Sequence, residues 1–486
     1  MTVSKNVSSE LIASNVVSSS EKENDQIAQR GIIIFRITRS KLEEISEFVH
    51  DKYHRCGGYV VHDSLEEAKQ YIKDLDVAEK TPPISAKYTM DNPQEVEKLQ
   101  GEISSSNLLT TVNTLMRFQN RHHRSSYGIK ASHWIKKHWE NLASTRSDID
   151  VALINHASRT AQPSVVVTID GKSETNEIVV IGSHLDSING RDRWSQNQRA
   201  PGADDDASGI AVLTEVLRVI VKTDYKPKKT IQIMGFAAEE VGLVGSKLIA
   251  RDYRSKGKNV VGMVNFDMTG YKGSAGDIYL TTDHTNSAQN RFLENLIDKY
   301  LKNLRRGTMQ CGYACSDHAS WHGQGFAASF PTESTMRQSN PKIHTTRDTK
   351  VDQAHMSKFA KLAVTYLAEM AKSEGGKTNP EPSNNQLENG VSKTGLKGQA
   401  EAKLYFTMKV PANQRSLTFK TSGGTGDADL YVRFRSKPSM DRYDCRPWSN
   451  GNHENCHISN VQAGTYHVML YGYSQFNKVK LMATYN

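Results

Sequence analysis

His184 stands in the run IGSHLDS, directly after the apolar stretch 177–181, and Asp186 lies two residues further on. In an extended chain residues i and i+2 share a side, so the Asp186 carboxylate can accept from one imidazole nitrogen and decide which nitrogen faces a metal. Asp204, Asp205 and Asp206 sit in APGADDDASG, a Gly- and Pro-framed loop before a helical pattern. Glu239 and Glu240 follow the apolar run 230–236, Asp267 follows 262–266, and His344 lies in the irregular stretch NPKIHTT. Two divalent cations held close together need a bridging carboxylate, and each needs one His and one further carboxylate. Asp204, His184, Glu240, Asp267 and His344 supply that set. Neighbouring residues of an extended chain point to opposite sides, so the Glu pair can divide two jobs, Glu240 binding and Glu239 accepting a proton from water. Taken singly, each residue has a plainer reading: a surface His, an N-cap cluster of Asp, a solvated pair of Glu. Their joint occurrence at successive strand ends favours metal binding.

The elements that must position these groups alternate from about residue 163. Strand-like runs at 164–169, 177–181 and 230–236 bracket a helix at 208–221, where Ile210, Leu213, Leu217 and Ile220 recur at helical spacing. This pattern predicts an α/β fold with a mixed, largely parallel sheet flanked by helices, in which ligands gather at the carboxyl ends of the strands. Upstream, residues 1–29 are rich in Ser, Asn, Glu and Lys and are expected to be disordered. Residues 30–80 read as a small β-α-β-α unit, with strands at 31–37 and 58–62 and capping boxes at Ser40/Glu43 and Ser64/Glu67. The catalytic region then spans 81–372. A polar linker with Pro and Gly covers 373–395, and short strands separated by turn residues predict a β-sandwich over 396–486.

With 486 residues the chain is long enough for two or three packed units. Hydrophobic residues make up 37%, which supports a sizeable core with some solvated stretches. The net charge of +9 is not gathered into basic blocks, so nucleic-acid binding is not suggested. No apolar run approaches the roughly 18 residues of a membrane span, and no signal peptide stands at the start. Of the five cysteines, the spacings 311/315 and 445/456 suggest two local disulfides, leaving Cys56 as an odd thiol.

HLDS, APGADDDASG, AAEEVGLVGS, NFDMTGYKG, CGYACSDHASWH and NPKIHTT occur in this order and resemble the bacterial secreted leucyl aminopeptidases of the M28 family, of the Vibrio aminopeptidase type. The similarity covers about residues 81–370. It implies a zinc exopeptidase fold and a metallo-aminopeptidase with two Zn²⁺ per chain, in which Glu239 activates water bridging the ions. Asp204 matches the bridge, Glu240 and His344 match ligands, and His184 and Asp267 match residues that complete opposite metals. A cis peptide after Asp204, a Cys311–Cys315 disulfide and an intermediate-stabilising Tyr313 are also implied. So is an apolar pocket from Met268, Phe330, Met336 and Ile343, although Thr281, Thr332 and Ser339 replace larger apolar groups of the best-matched relatives. The resemblance implies a secreted zymogen acting on peptides with a free N-terminus and an apolar, leucine-like first residue. The 30–80 unit resembles a removable prosegment that inhibits or aids folding and is cut between about residues 75 and 105. A monomer is expected. Glutaminyl cyclases share a related fold and metal site, but the two-metal ligand set favours hydrolysis.

His453 to His457 spells HExxH, a zinc motif only when a helix puts both His on one face; the flanking Asn, Gly and Ser are turn residues, so this reading is rejected. GGTGDADLYVRF and AGTYHVMLYGYS instead resemble the bacterial pre-peptidase C-terminal (PPC) domain over 398–486, implying a Cys445–Cys456 disulfide. Tyr431, Tyr466, Tyr471 and Tyr473 there suggest either a binding face or ordinary sheet packing.

Overall fold

In the computed structural model, the described residues are 1–18, 21–22, 32–38, 41, 44–45, 48–49, 59–62, 64–156, 159–172, 176–190, 196–372, 386–436, 438–440, 442–447 and 449–486, except for 81–87. The chain divides into two compact units, Met1–Gly376 and Lys377–Asn486.

The first unit is built on a six-stranded sheet in the order β11-β8-β6-β7-β5-β4, with β4 Ile149–Ile154, β5 Ser164–Ile169, β6 Glu177–His184, β7 Thr230–Phe236, β8 Asn259–Asn265 and β11 Ala328–Ser329. The pairs β6/β7, β6/β8 and β8/β11 are parallel, whereas β4/β5 and β5/β7 are antiparallel. Valine and isoleucine fill the central strands because both faces are covered. On one face Val165, Val167, Val179, Ile181 and Ile233 pack with the helices Ala207–Lys222 and Gln353–Ala371. On the other, Val166, Val180, Met234 and Met263 pack with Ile249 and Trp321. A smaller sheet, β10-β9-β12, carries β9 Ile278–Thr281, β10 Arg306–Met309 and β12 Pro331–Thr332 beside the site.

At the N-terminus β1 Thr2–Ser4 pairs antiparallel with β2 Ile32–Ile34 and β3 Tyr59–Val60, and a helix runs from Lys5 to Ala13. The disorder expected from composition over 1–29 is therefore corrected for its first part: Val3, Leu11 and Val17 are few but bury together with Ile33, Phe35 and Tyr59. The capping box at Ser40/Glu43 and the odd Cys56 lie outside the described residues. Ser64 does cap the helix Leu65–Lys80, accepting from the Glu67 N–H at 3.0 Å.

This N-terminal segment rests on the sheet unit. Tyr71 and Ile72 pack with Leu243, Ala314 and Ala319, and Tyr59 and Val61 lie over Gly242. His62 joins Thr2 Oγ1 (3.0 Å) and Lys247 Nζ (3.2 Å), and Glu67 pairs with Lys247 and Arg251.

The second unit is a sandwich of two four-stranded sheets, β13-β15-β19-β17 and β14-β20-β16-β18, with β13 Gln386–Leu387, β14 Ser392–Gly398, β15 Lys403–Val410, β16 Leu417–Ser422, β17 Ala428–Phe434, β18 Asn455–Ile458, β19 Gly464–Gly472 and β20 Phe476–Tyr485. Phe406, Leu417, Phe419, Leu430, Val468 and Leu481 fill its core. Its first strands, Gln386–Leu387 and Ser392–Gly398, begin inside the stretch expected to be linker, because Leu387 is buried and Gln386–Leu387 pairs with Lys403–Val410. The HExxH sequence lies on and beside the strand Asn455–Ile458, not on a helix. Tyr431 and Tyr466 are buried, while Tyr473 is exposed. Both close cysteine pairs are bridged, with Cα–Cα distances of 6.1 Å for Cys311–Cys315 and 6.0 Å for Cys445–Cys456. Among the described residues no helix is long and apolar enough to cross a membrane.

Candidate metal centre

Three parallel strands end at one edge. Register places His184 opposite Phe236 and Gly182 opposite Asn265, so the residues just beyond β6, β7 and β8 converge. His184 Nε2 lies 3.0 Å from Asp205 Oδ1 and 3.4 Å from Asp267 Oδ1. His344 Nε2 lies 2.8 Å from Asp205 Oδ2 and 3.1 Å from Glu240 Oε2. All five side chains are buried. The two oxygens of Asp205 thus face two different imidazoles, each with a further carboxylate beside it.

The carboxylate that faces both imidazoles is that of Asp205, which corrects the assignment of that place to Asp204. The three consecutive Asp residues send their carboxylates in three directions. Asp204 accepts from the Gly270 N–H (2.9 Å) and the Asn340 amide (3.0 Å). Asp206 takes the Ser183 hydroxyl (2.5 Å) and caps the helix Ala207–Lys222 through the Gly209 N–H (2.8 Å). The middle one lies against both imidazoles. The cis peptide bond likewise joins Asp205 to Asp206, one position later than expected. His184 and Asp267 lie side by side, which corrects their expected division between opposite metals.

Asp186 lies 3.5 Å from His184 Nδ1 and also accepts the N–H groups of Glu239 (3.0 Å) and Glu240 (3.2 Å). One carboxylate therefore sets the imidazole and both members of the Glu pair. Glu239 is buried, and among the described residues neither of its oxygens has a hydrogen-bond partner. Burial raises its pKa well above the usual carboxylate range, and Glu240, Asp317 and Asp267 add to this against the pull of His184.

Spacing in the sequence gave no sign of several supporting residues. Asp348 accepts from the N–H groups of Asp204 (3.1 Å) and Asp205 (3.1 Å). Ser316 donates to Asp267 at 2.5 Å and accepts from Asn265. Arg121, fully buried, donates to the carbonyls of Leu185, Pro201 and Gly202, tying the His184 loop to the Asp loop. Asp348 and Ser316 lie beyond the ligand motifs they support, and Arg121 precedes them by more than sixty residues, so no local pattern marks them.

Left-handed non-glycine backbone occurs at Ala238, Met268 and His344, next to or at the site. Such conformations cost free energy and persist where function demands a side-chain direction. The field of the cluster is strongly negative. Burial pulls His344 down, yet Glu240 and Asp205 outweigh it and lift its pKa to about 10. His184 is likewise raised, Asp267, Asp186 and Asp205 overcoming burial. Burial and Asp205 together lift Glu240 to about 7. Buried carboxylates in such number require a compensating cation, and a His/Asp/Glu donor set of this size suits zinc or a similar divalent ion.

A pocket opens beside Asp267. Met268, Phe330, Met336 and Ile343 line it, as do Tyr313 and the Cys311–Cys315 bridge. Thr332, Ser334 and Ser339 form its polar wall. Thr281 is buried behind Phe330, whose carbonyl accepts the Thr281 N–H at 3.0 Å.

Residues 164–368 match the model of peptidase family M28, and residues 403–472 match the bacterial pre-peptidase C-terminal domain. A probable leucine aminopeptidase of Trichophyton verrucosum is 32% identical over 343 residues, covering 69% of this chain and 88% of the relative. Leucine aminopeptidase 1 of Arthroderma gypseum is 35% identical over 307 residues, covering 60% and 80%. Among solved structures, the Legionella pneumophila LapA aminopeptidase aligns with a TM-score of 0.64 at 28% identity, covering 76% of this chain and 98% of that one. LapB from the same organism gives 0.63 at 27% identity, covering 76% and 99%. With the fold, the convergent donor set and this likeness together, the chain belongs to peptidase family M28 as a metallo-aminopeptidase carrying a C-terminal PPC domain.

Proposed function

We propose that this chain is a secreted, dinuclear zinc aminopeptidase that removes apolar, leucine-like residues from peptides with a free N-terminus. The observation that carries the reading is the position of Asp205, with one oxygen 3.0 Å from His184 and the other 2.8 Å from His344. His184, Asp205 and Asp267 would hold one ion; His344, Asp205 and Glu240 would hold the other. Zinc bound there would polarise the scissile carbonyl and make a water acidic enough to attack it near neutral pH. Glu239 takes the proton of the attacking water, and its burial supports this role by matching its proton affinity to that task. It then returns the proton to the departing amine. Tyr313 donates its phenol to the carbonyl oxygen as charge develops. The negative cluster receives the substrate's free α-ammonium, which restricts cleavage to the first bond.

The N-terminal segment acts as a prosegment. Its support is the packing of Tyr59, Val61 and Tyr71 on the loop after Glu240 and on the helix after the Cys311–Cys315 bridge. Two disulfides and a PPC domain fit an oxidising, extracellular setting. The test is metal analysis of purified protein with leucyl anilide as substrate. Two zinc ions per chain, with turnover lost to a chelator and restored by zinc, are expected. One ion per chain would rule out the dinuclear reading, and full turnover in metal-free protein would rule out metal catalysis.

A further inference from the structure

Among the apolar groups that line the side-chain pocket stand three hydroxyl residues, Thr332, Ser334 and Ser339. Thr332 Oγ1 donates its proton to backbone carbonyls, with Tyr279 O at 3.2 Å and Ser334 O at 3.1 Å. Ser339 Oγ donates to Met336 O at 2.9 Å. Both oxygens have spent their only hydrogen and can only accept from an incoming group. Ser334 Oγ is buried with no hydrogen-bond partner among the described residues. A leucine side chain filling this space offers that hydroxyl no partner, which leaves a buried polar atom unpaired. Meanwhile Met268, Met309 and Met336 line the pocket with Phe330. Thioethers and an aromatic face favour a flat aromatic ring over a branched aliphatic group. No Lys or Arg lines the pocket among the described residues, and the two carboxylates there, Asp267 and Glu333, disfavour an acidic side chain.

Resting on the aminopeptidase reading above and replacing its leucine-like preference, we infer that the pocket selects an aromatic first residue with a neutral hydrogen-bond-donating tip, tyrosine ahead of phenylalanine and leucine. Lysine carries donors as well, but its ammonium would have to give up its hydration in a mostly apolar enclosure.

The test compares kcat/KM of the zinc-loaded full chain on tyrosyl, phenylalanyl, leucyl and lysyl anilides. Tyrosine and phenylalanine differ by one hydroxyl, so their ratio isolates the polar wall. A tyrosyl preference of about five- to tenfold is expected from one added hydrogen bond. Ser334→Ala should bring that ratio toward one. Thr332→Val, which keeps the side-chain shape, should also lower it, and it covers the case in which the first variant fails to fold. Equal or faster release of phenylalanine, a lysyl rate above the tyrosyl one, or a ratio that neither substitution moves would overturn the inference while leaving an aminopeptidase in place. Failure to release an amine from any of the four would remove the aminopeptidase reading, and this inference with it.

Discussion

Three identical side chains in a row, Asp204, Asp205 and Asp206, have three unlike tasks, and only the turn of the backbone tells them apart. Asp205→Asn is expected to lose bound zinc and activity together. Asp204→Asn, which weakens bonds to Gly270 and Asn340, should keep its metal and lose about 1–3 kcal/mol of stability. Zinc content and thermal melting of the two variants check this; the reverse pattern would return the bridge to Asp204. For Glu239→Gln, turnover on leucyl anilide should fall by about 10²–10⁴ with zinc content unchanged, since its oxygens hold no structural bond. His184, Glu239, Glu240 and Asp267 were legible from their places after apolar runs, because strand ends are where such groups collect, whereas His344 stands in an irregular stretch and was marked by its NPKIHTT block. Asp205 was not, because composition and spacing are blind within a run of one residue type. Asp348 and Arg121 were not, because they act from remote positions through backbone groups.

At the scale of elements, the central strands could be read from β-branched runs, and their parallel pairing followed from the alternation with helices. The opening strand Thr2–Ser4 could not, since its stability comes from partners at Ile32–Ile34 and Tyr59–Val60 far along the chain. The junction between this N-terminal segment and the sheet unit is expected to be sensitive to acid. His62 is pushed down to about 2 by burial, by Lys247 and by the chain's amino group. Its other neighbours are Thr2 Oγ1 and the Tyr71 ring, with Glu67 and Arg251 beyond Lys247. The docked state therefore prefers neutral His62, while a released His62 titrates near 6.5. The docked state binds fewer protons, so its advantage is complete above about pH 6.5 and shrinks as pH falls below it. At pH 5 docking should be weaker by roughly 1–2 kcal/mol. Hydrogen exchange in Tyr59–Val60 and Leu65–Lys80 should be faster at pH 5 than at pH 8, and His62→Gln should flatten the difference. Equal protection at both values in the native chain would refute it.

Across the whole molecule, the main hydrophobic cluster of each unit draws on that unit alone, Val96 to Ala371 contributing to one and Leu387 to Ala483 to the other. A chain ending at Gly376 is thus expected to melt within a few degrees of the catalytic transition of the full protein and to keep its kcat on a small anilide. Loss of folding on truncation would show that the sandwich supports the peptidase. Sequence reading found this division from a change in strand spacing and turn content, but placed the start of the sandwich late. A two-residue strand such as Gln386–Leu387 carries too little pattern to be seen. The two disulfides close small local loops, one inside each unit, and neither ties the units together. A single backbone cut between Gly376 and the first sandwich strand would leave no covalent thread, so the two halves would separate on a gel run without reductant. The peptidase could shed its companion by proteolysis alone, in an oxidising medium, with both crosslinks intact.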